Sequence, residues 1–203
     1  MLIDIIGIDG AGKSTQAKLL KKRIENDNVG KNVIVCNVLS NKLLKNKLLL
    51  LIEKCKEKEE DYYELGIAVD LYRAYNYMTE DVYNLLDKGS IVILEKSFVD
   101  AIVFLSAFGM RNSLAVDLYK TLLKPDFTVC LDIDPNEAYR RITNRAYSTF
   151  KPINAKEKLS LLSLARDNYV SYCNANCIST INAEQCELVV NDLIYKKISE
   201  LLC

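Results

Sequence analysis

Residues Gly7 to Ser14 read Gly-Ile-Asp-Gly-Ala-Gly-Lys-Ser, a complete G-x-x-x-x-G-K-S pattern. That order of residue types builds a cradle for phosphate. The glycines let the backbone bend so that its N–H groups point inward at phosphate oxygens. The helix that begins at the end of the loop adds partial positive charge. Lys13 has the reach for the β- and γ-phosphates of a nucleotide, and the Ser14 hydroxyl suits Mg²⁺. Gly7, Asp9, Gly10, Ala11, Gly12 and Thr15 belong to the same loop and are read with it as donor-binding residues.

Further along the chain, Glu95 closes an apolar run, Ser90 to Leu94. A carboxylate at a buried strand end faces the ligand in open α/β sheets, so Glu95 pairs with Ser14 as a metal-binding candidate. Arg141 and Arg145 are spaced i, i+4 and share one helical face. Two cations held together suit a transferring phosphoryl group, whose charge is spread over its oxygens. The chain has no histidine, which excludes Ser-His and Cys-His nucleophilic mechanisms. Proton transfer falls to carboxylates, lysine or tyrosine.

The elements that position these residues are legible as a pattern. Apolar runs at Leu2–Ile6, Asn32–Cys36, Ser90–Leu94, Phe127–Asp132 and Cys177–Ile181 predict buried strands. Helices are predicted over about 14–26, 41–58, 61–87, 113–123, 135–145, 155–174 and 183–202. Pro135 stands in the first turn of its helix, a favoured place. Alternation of strand and helix predicts a parallel α/β fold, a three-layer α/β/α sandwich, as one domain over residues 1–203.

Composition narrows the partners. Lys+Arg and Asp+Glu both total 27, so the formal net charge is zero, and neither nucleic acid nor an anionic membrane is expected. No apolar run reaches the ~18 residues of a membrane span. The seven cysteines are an odd number, widely spread. The first predicted strand begins at residue 2, which leaves no room for a targeting segment. Reduced thiols and a cytoplasmic location are the expectation. Cys173 and Cys177 are spaced i, i+4 and would touch on a helix.

The chain resembles the thymidylate kinase family of nucleoside monophosphate kinases. Gly7-Ile8-Asp9-Gly10-Ala11-Gly12-Lys13-Ser14-Thr15-Gln16 is similar to that family's loop almost letter for letter. Ala68 to Ala74 is similar to the helix that carries an arginine, here Arg73, toward the acceptor nucleotide. Pro125 to Asp132, followed by Pro135, is similar to the fourth strand. Arg140, Arg141 and Arg145 fall where the family has lid arginines, giving a lid segment of about 141–154. Thr180-Ile181-Asn182-Ala183 resembles the turn near the donor adenine, which assigns Ala183 to the donor site. The resemblance implies the P-loop kinase fold, with a five-stranded parallel sheet of order 2-3-1-4-5.

The departures fall in the acceptor half. The family's Asp-Arg-Tyr or Asp-Arg-Phe after the third strand is Glu95-Lys96-Ser97 here, which also resembles the Glu-Arg-Ser of deoxynucleoside kinases. Lys96 keeps the positive charge and loses the bidentate fork. The arginine and proline after the second strand are missing from Asn37-Val38-Leu39-Ser40. The family's Ser-Ser and Tyr-Gln near the base become Asp100-Ala101 and Phe104-Leu105.

The expected function is ATP-dependent phosphoryl transfer to a nucleotide or nucleoside-like acceptor, with ATP and Mg²⁺ as cofactors. Lys13, Asp9, Glu95, Arg141 and Arg145 are the candidate catalytic residues. Asp9, Arg73, Lys96, Asp100 and Phe104 are the candidates for binding the acceptor, with Tyr72 and Tyr75 available for stacking. A kinase of an unphosphorylated hydroxyl with Glu95 as base, and a non-catalytic nucleotide-binding module, are the alternatives. A GTPase would need a guanine-reading Asn-Lys-x-Asp segment, which is absent. A homodimer is permitted by the apolar content of residues 62–86 and 98–108.

Overall fold

The computed structural model describes residues 1–27, 30–39, 59–107, 109, 113–144 and 155–202. The helix expected over 41–58, Arg145 and most of the expected lid lie outside the described residues.

Five parallel strands form one sheet in the order β2-β3-β1-β4-β5. They are β1 (Leu2–Ile6), β2 (Val33–Asn37), β3 (Ile91–Glu95), β4 (Phe127–Asp132) and β5 (Ser179–Asn182). This is the fold and strand order expected from the sequence. β1 and β3 are buried along their whole length, as strands covered on both faces must be. Their side chains alternate between two apolar clusters. Ile3, Ile5 and Ile93 join the cluster that holds Ala17, Leu20 and Ile24 of α1 (Lys13–Asp27) and Val190, Ile194 and Ile198 of the last helix. Leu2, Val92 and Leu94 join the other cluster, with Leu71, Ala74 and Met78.

On that second side run α2 (Glu59–Asn76), a π-helical segment (Tyr77–Val82) and α3 (Tyr83–Asp87). Thr79 turns its hydroxyl back onto the carbonyls of Tyr75 and Asn76, at 3.1 and 3.2 Å, where the helix widens. Next come α4 (Phe98–Ala107), α5 (Ser113–Thr121), α6 (Pro135–Thr143), α7 (Ala155–Ala175) and α8 (Glu187–Leu202).

The sequence reading assigns no element to Phe98–Ala107. The reason is compositional: Phe98, Val99, Ala101, Val103, Leu105 and Ala107 are all buried, so no polar face marks a helical period. Most of the apolar content of Phe98–Ala107 therefore enters the chain's own core. Strand β5 begins two residues later than expected. Cys177 adopts a left-handed φ of 54°, and Ile178 N–H closes onto the Cys173 carbonyl at 2.9 Å, which ends α7. Cys173 is buried and Cys177 exposed, so the two thiols do not share a face.

The phosphate loop is tied to its neighbours at two glycines. Gly7 has φ +143°, and a Cβ there would stand 2.5 Å from the Leu131 carbonyl oxygen of β4. Gly10 has φ +90°, and its Cβ would stand 2.6 Å from the Ala138 carbonyl oxygen of α6. A side chain at either position would push the loop off β4 or α6. Gly12 also has a positive φ, of +97°, but nothing lies within 4 Å of its Cβ position. Gly10→Ala is therefore expected to lower stability by at least ~2 kcal/mol, the sum of backbone strain and a backbone clash. Gly12→Ala is expected to cost about 1 kcal/mol, from strain alone. Urea denaturation of both variants checks the order.

Candidate active site

The loop leaves β1 at Gly7 and enters α1 at Lys13. Lys13 is 6% exposed, a cation inside the protein. Its Nζ donates to the carbonyls of Gly7 at 2.5 Å and Ile8 at 3.3 Å. Two carboxylates flank it, Asp100 at 3.6 Å and Asp9 at 3.9 Å. The Asp9 side chain is about a third exposed, at 32%. One residue on, the Ser14 hydroxyl donates to Glu95 Oε1 from the end of β3. Glu95 is buried, and Asn37, its register partner on β2, points Nδ2 at the same carboxylate from 3.5 Å.

A hydroxyl and a carboxylate meeting at the foot of a phosphate loop are the hard oxygen donors that Mg²⁺ takes. Among the described residues no cluster of three or more His, Cys, Asp or Glu forms a metal cage. A cation here would be completed by phosphate oxygens and water, as Mg²⁺ usually is.

On the other side of the loop lies a cleft. Gly10, Ala11, Gly12, Thr15, Arg141 and Ala183 all line it, so the structure brings together most of the donor-site candidates. Arg141 donates from Nε to Glu137 at 2.8 Å and from Nη1 to the Ala183 carbonyl at 3.1 Å. Arg140 forks onto the same Glu137 carboxylate, at 2.6 and 2.8 Å. Hydrogen bonds from Arg140 and then Arg141 hold the Glu137 carboxyl down at about 2. Gln16 forms the far wall. It donates to the Glu187 carbonyl at 2.9 Å and accepts from buried Asn191 at 3.1 Å, which fastens α1 to the start of α8. The sequence reading assigns no role to Gln16 or Glu137. Their signal is a polar residue on the inward face of a helix.

The acceptor candidates divide. Arg73 donates from Nη2 to the Val38 carbonyl at 2.8 Å, just past β2. Val38 N–H in turn donates to the Glu95 carbonyl at 3.2 Å, so Arg73 is held at the same strand ends as Glu95. Lys96 is left-handed, with φ 57°, and its carbonyl accepts from Leu39 N–H at 3.1 Å. A non-glycine residue held there next to Glu95 stores backbone strain at the site. Phe104 is half-buried on α4, one turn beyond Asp100. Tyr72 is exposed, while Tyr75 lies half-buried on the same helix.

Asp100 departs from expectation. It is a candidate for binding the acceptor, yet it is only 2% exposed and its oxygens are engaged inside the protein. Oδ2 accepts from Ser97 N–H at 2.8 Å, while the Ser97 hydroxyl accepts from Val99 N–H at 3.2 Å. This is a reciprocal cap at the start of α4. Oδ1 accepts from the Tyr169 hydroxyl of α7 at 2.5 Å and faces Lys13. Asp100 therefore serves as a helix cap and as a counter-charge to Lys13.

A second buried acid lies nearby. Asp4 is 1% exposed in the middle of β1, and its Oδ2 accepts from the Ser97 hydroxyl at 2.7 Å. Its Oδ1 has no hydrogen-bond partner. Burial, and then the charge of Asp100, push its carboxyl up to about 8. Burial also raises Asp100, but Lys13, Tyr169 and the Ser97 N–H all oppose it. Lys13, Tyr169 and the Ser97 N–H thus favour the charged form at Asp100, while burial and the Asp100 charge favour the protonated form at Asp4.

A scan against protein-family models matches residues 5–194 to "Thymidylate kinase". The chain belongs to the thymidylate kinase family. It is similar to a "Probable thymidylate kinase" of Thermococcus kodakarensis, 31% identical over 206 residues, covering 96% of this chain and 95% of that one. A relative of the same name from Sulfolobus acidocaldarius is 29% identical over 187 residues, 91% of this chain and 89% of its own. One from Methanosphaera stadtmanae is 28% identical over 207 residues, 100% and 99% of the two chains. Among solved structures, a deoxyadenosine kinase from M. mycoides with dCMP and dCDP superposes with a TM-score of 0.67 at 18% identity, over 98% of this chain and 100% of that one. That likeness concerns the fold. Family membership makes this kinase a phosphotransferase, and ATP as phosphoryl donor goes with the family. No described helix is long and apolar enough to cross a membrane.

The Asp4 carboxyl gives a pH test of the kinase's core. Its folded pKa is raised above the ordinary carboxylate value of 3.8, so it favours folding fully below that value and loses that contribution as pH rises toward about 8. Stability of the wild type is expected to carry this falling component between those limits, at up to about 1.4 kcal/mol per pH unit. Asp4→Asn has no carboxyl to ionise, so it is expected to be more stable than wild type at pH 8 and to lack that component. Denaturant midpoints at pH 5, 6.5 and 8 give the comparison; parallel curves for the two proteins would dismiss the assignment.

Proposed function

We propose that this kinase transfers the γ-phosphoryl group of ATP to a nucleoside monophosphate, dTMP or a related nucleotide. The observation that carries the reading is the meeting of the Lys13–Ser14 loop with Glu95 at adjacent strand ends, beside a cleft lined by Thr15, Arg141 and Ala183. In this reading the adenosine end of ATP occupies the cleft and its phosphates enter the loop. The loop N–H groups and the Lys13 ammonium hold the β- and γ-phosphates. Ser14 and Glu95 hold Mg²⁺, directly or through water, which when bound would offset the charge on the phosphate oxygens. Arg141, already oriented by Glu137, and Arg145 stabilise the transferring group. Asp9, Arg73 and Lys96 orient the acceptor, with Phe104 beside the base. The work of the protein is positioning and charge stabilisation in a site that excludes water.

A second reading has one observation in its favour. The stretch after β2 carries no counterpart of the family's phosphate-binding arginine, and Asn37, which ends β2, points its amide at Glu95. A neutral amide beside a buried carboxylate suits an acceptor hydroxyl better than an acceptor phosphate. Glu95 would then be the general base that takes the hydroxyl proton.

The deciding experiment measures ADP formation with ATP and Mg²⁺ across nucleoside monophosphates, including dTMP, and the corresponding free nucleosides. Turnover with monophosphates is expected. Turnover confined to unphosphorylated acceptors would replace the first reading with the second. Lys13→Ala is expected to lower turnover at least ~10³-fold, through loss of a preorganised cation. Glu95→Gln is expected to lower kcat by ~10²-fold or more while the Kd for ATP changes far less. Normal turnover in either variant would remove that residue from the mechanism.

A further inference from the structure

The phosphate-loop lysine sits in a built seat, and one wall of that seat comes from outside the loop. The Lys13 ammonium has three N–H donors. The carbonyls of Gly7 and Ile8 accept from it. Asp100 Oδ1 stands 3.6 Å away, on a helix that belongs to the acceptor half of the molecule. The carboxylate does not swing freely. Its second oxygen is fixed by the Ser97 N–H, and the oxygen that faces Lys13 is fixed by the Tyr169 hydroxyl. Tyr169 is itself 2% exposed and lies on α7, among Leu162, Ala165 and Cys173. The carbonyls take two of the three donors, and Asp100, an ion-pair partner at 3.6 Å with no hydrogen bond to the ammonium, leaves the third for a phosphate.

Resting on the reading of Lys13 as the cation of phosphoryl transfer, we propose that Asp100 and Tyr169 are positioning residues. They fix the ammonium of Lys13 from behind, and through it couple α4 and α7 to the phosphate loop. Neither touches the donor. An unheld lysine would still bring its charge to the phosphates, because the loop carbonyls keep it near. It would lose the single orientation that transfer needs, so the loss falls on the chemical step more than on binding.

Asp100→Asn keeps the shape and the acceptor for Ser97 N–H while removing the charge. Tyr169→Phe removes only the hydroxyl. Both are measured for kcat, KM for ATP and acceptor, and melting temperature, together with the double variant. Asp100→Asn is expected to lower kcat at least ~10-fold with both KM values within ~2-fold. Tyr169→Phe is expected to lower kcat by a smaller factor, and to add nothing further in the Asp100→Asn background, because both act through one contact. Losses that multiply in the double variant, or a fall in melting temperature with kcat unchanged, would overturn the proposal.

A readout independent of activity separates this from the functional reading. In nucleotide-free protein, the rate at which an acylating reagent modifies Lys13 is followed by mass spectrometry. Release of the ammonium in Asp100→Asn is expected to raise that rate by ~5-fold or more, whatever the acceptor proves to be. An unchanged rate would mean that the loop carbonyls alone hold the lysine, and the proposal fails even if the kinase is active.

Discussion

A cation buried beneath a phosphate loop is the constraint around which this molecule is arranged. An ammonium that is 6% exposed cannot stay charged without acceptors and a counter-charge. The loop supplies two carbonyls and Asp9 supplies a carboxylate about a third exposed, at 32%. The buried counter-charge comes from α4 as Asp100, which must be held by Ser97 and Tyr169 to remain ionised. Burial raises the Asp4 carboxyl, and the Asp100 charge raises it further, because a second charge in the same dry space lacks partners. One functional lysine thus dictates the protonation of two acids and the identities of a cap and a tyrosine.

The sheet explains why these groups meet. Parallel strands end at the same edge, and the ends of β1, β3 and β2 deliver the loop, Glu95 and Asn37 side by side. β4 and β5 continue that edge on the other side, where Gly7 presses on Leu131 and Ala183 N–H bonds the Asp132 carbonyl at 2.8 Å. The donor cleft forms where α6, α1 and α8 converge over those ends, pinned by Gln16 and Asn191. Side chains distant in sequence become neighbours because strand ends are shared, which is the general behaviour of open α/β sheets.

What the sequence discloses follows from how local each signal is. The loop is contiguous, and its glycines and lysine have few uses other than phosphate, so the donor half was readable from Gly7 to Thr15. Five short apolar runs were enough for the sheet, because a strand buried on both faces has no other pattern to show. Phe98–Ala107 was not readable as a helix because burial on nearly every side erases the helical period. The burial of Asp100 was hidden for a related reason. In one dimension, a carboxylate soon after a strand end looks like a ligand-facing group. Only the approach of α7, some 70 residues later, turns it inward to Tyr169. Asp4 did leave a trace, a lone acid inside Leu2–Ile6, but its proton state depends on Ser97 and Asp100.

The substitutions in the acceptor half are then linked to one another. Ser97 and Asp100 replace residues that the family uses near the acceptor, and they replace them together. The backbone N–H of Ser97, the Tyr169 hydroxyl and the Lys13 ammonium support the buried Asp100 carboxylate, while the Ser97 hydroxyl accepts from Val99 N–H and donates to Asp4. The pair closes a capping box, supports Lys13, and withdraws two polar side chains from any base that lies nearby. On the proposed reading, neither side chain is left to hydrogen-bond an acceptor base. Recognition of the acceptor would then fall to Arg73 and Lys96 at the strand ends and to the half-buried Phe104 on α4. A pocket of that kind selects by charge and stacking more than by hydrogen bonds to one base, and discrimination of that sort is inherently weaker than a buried polar match.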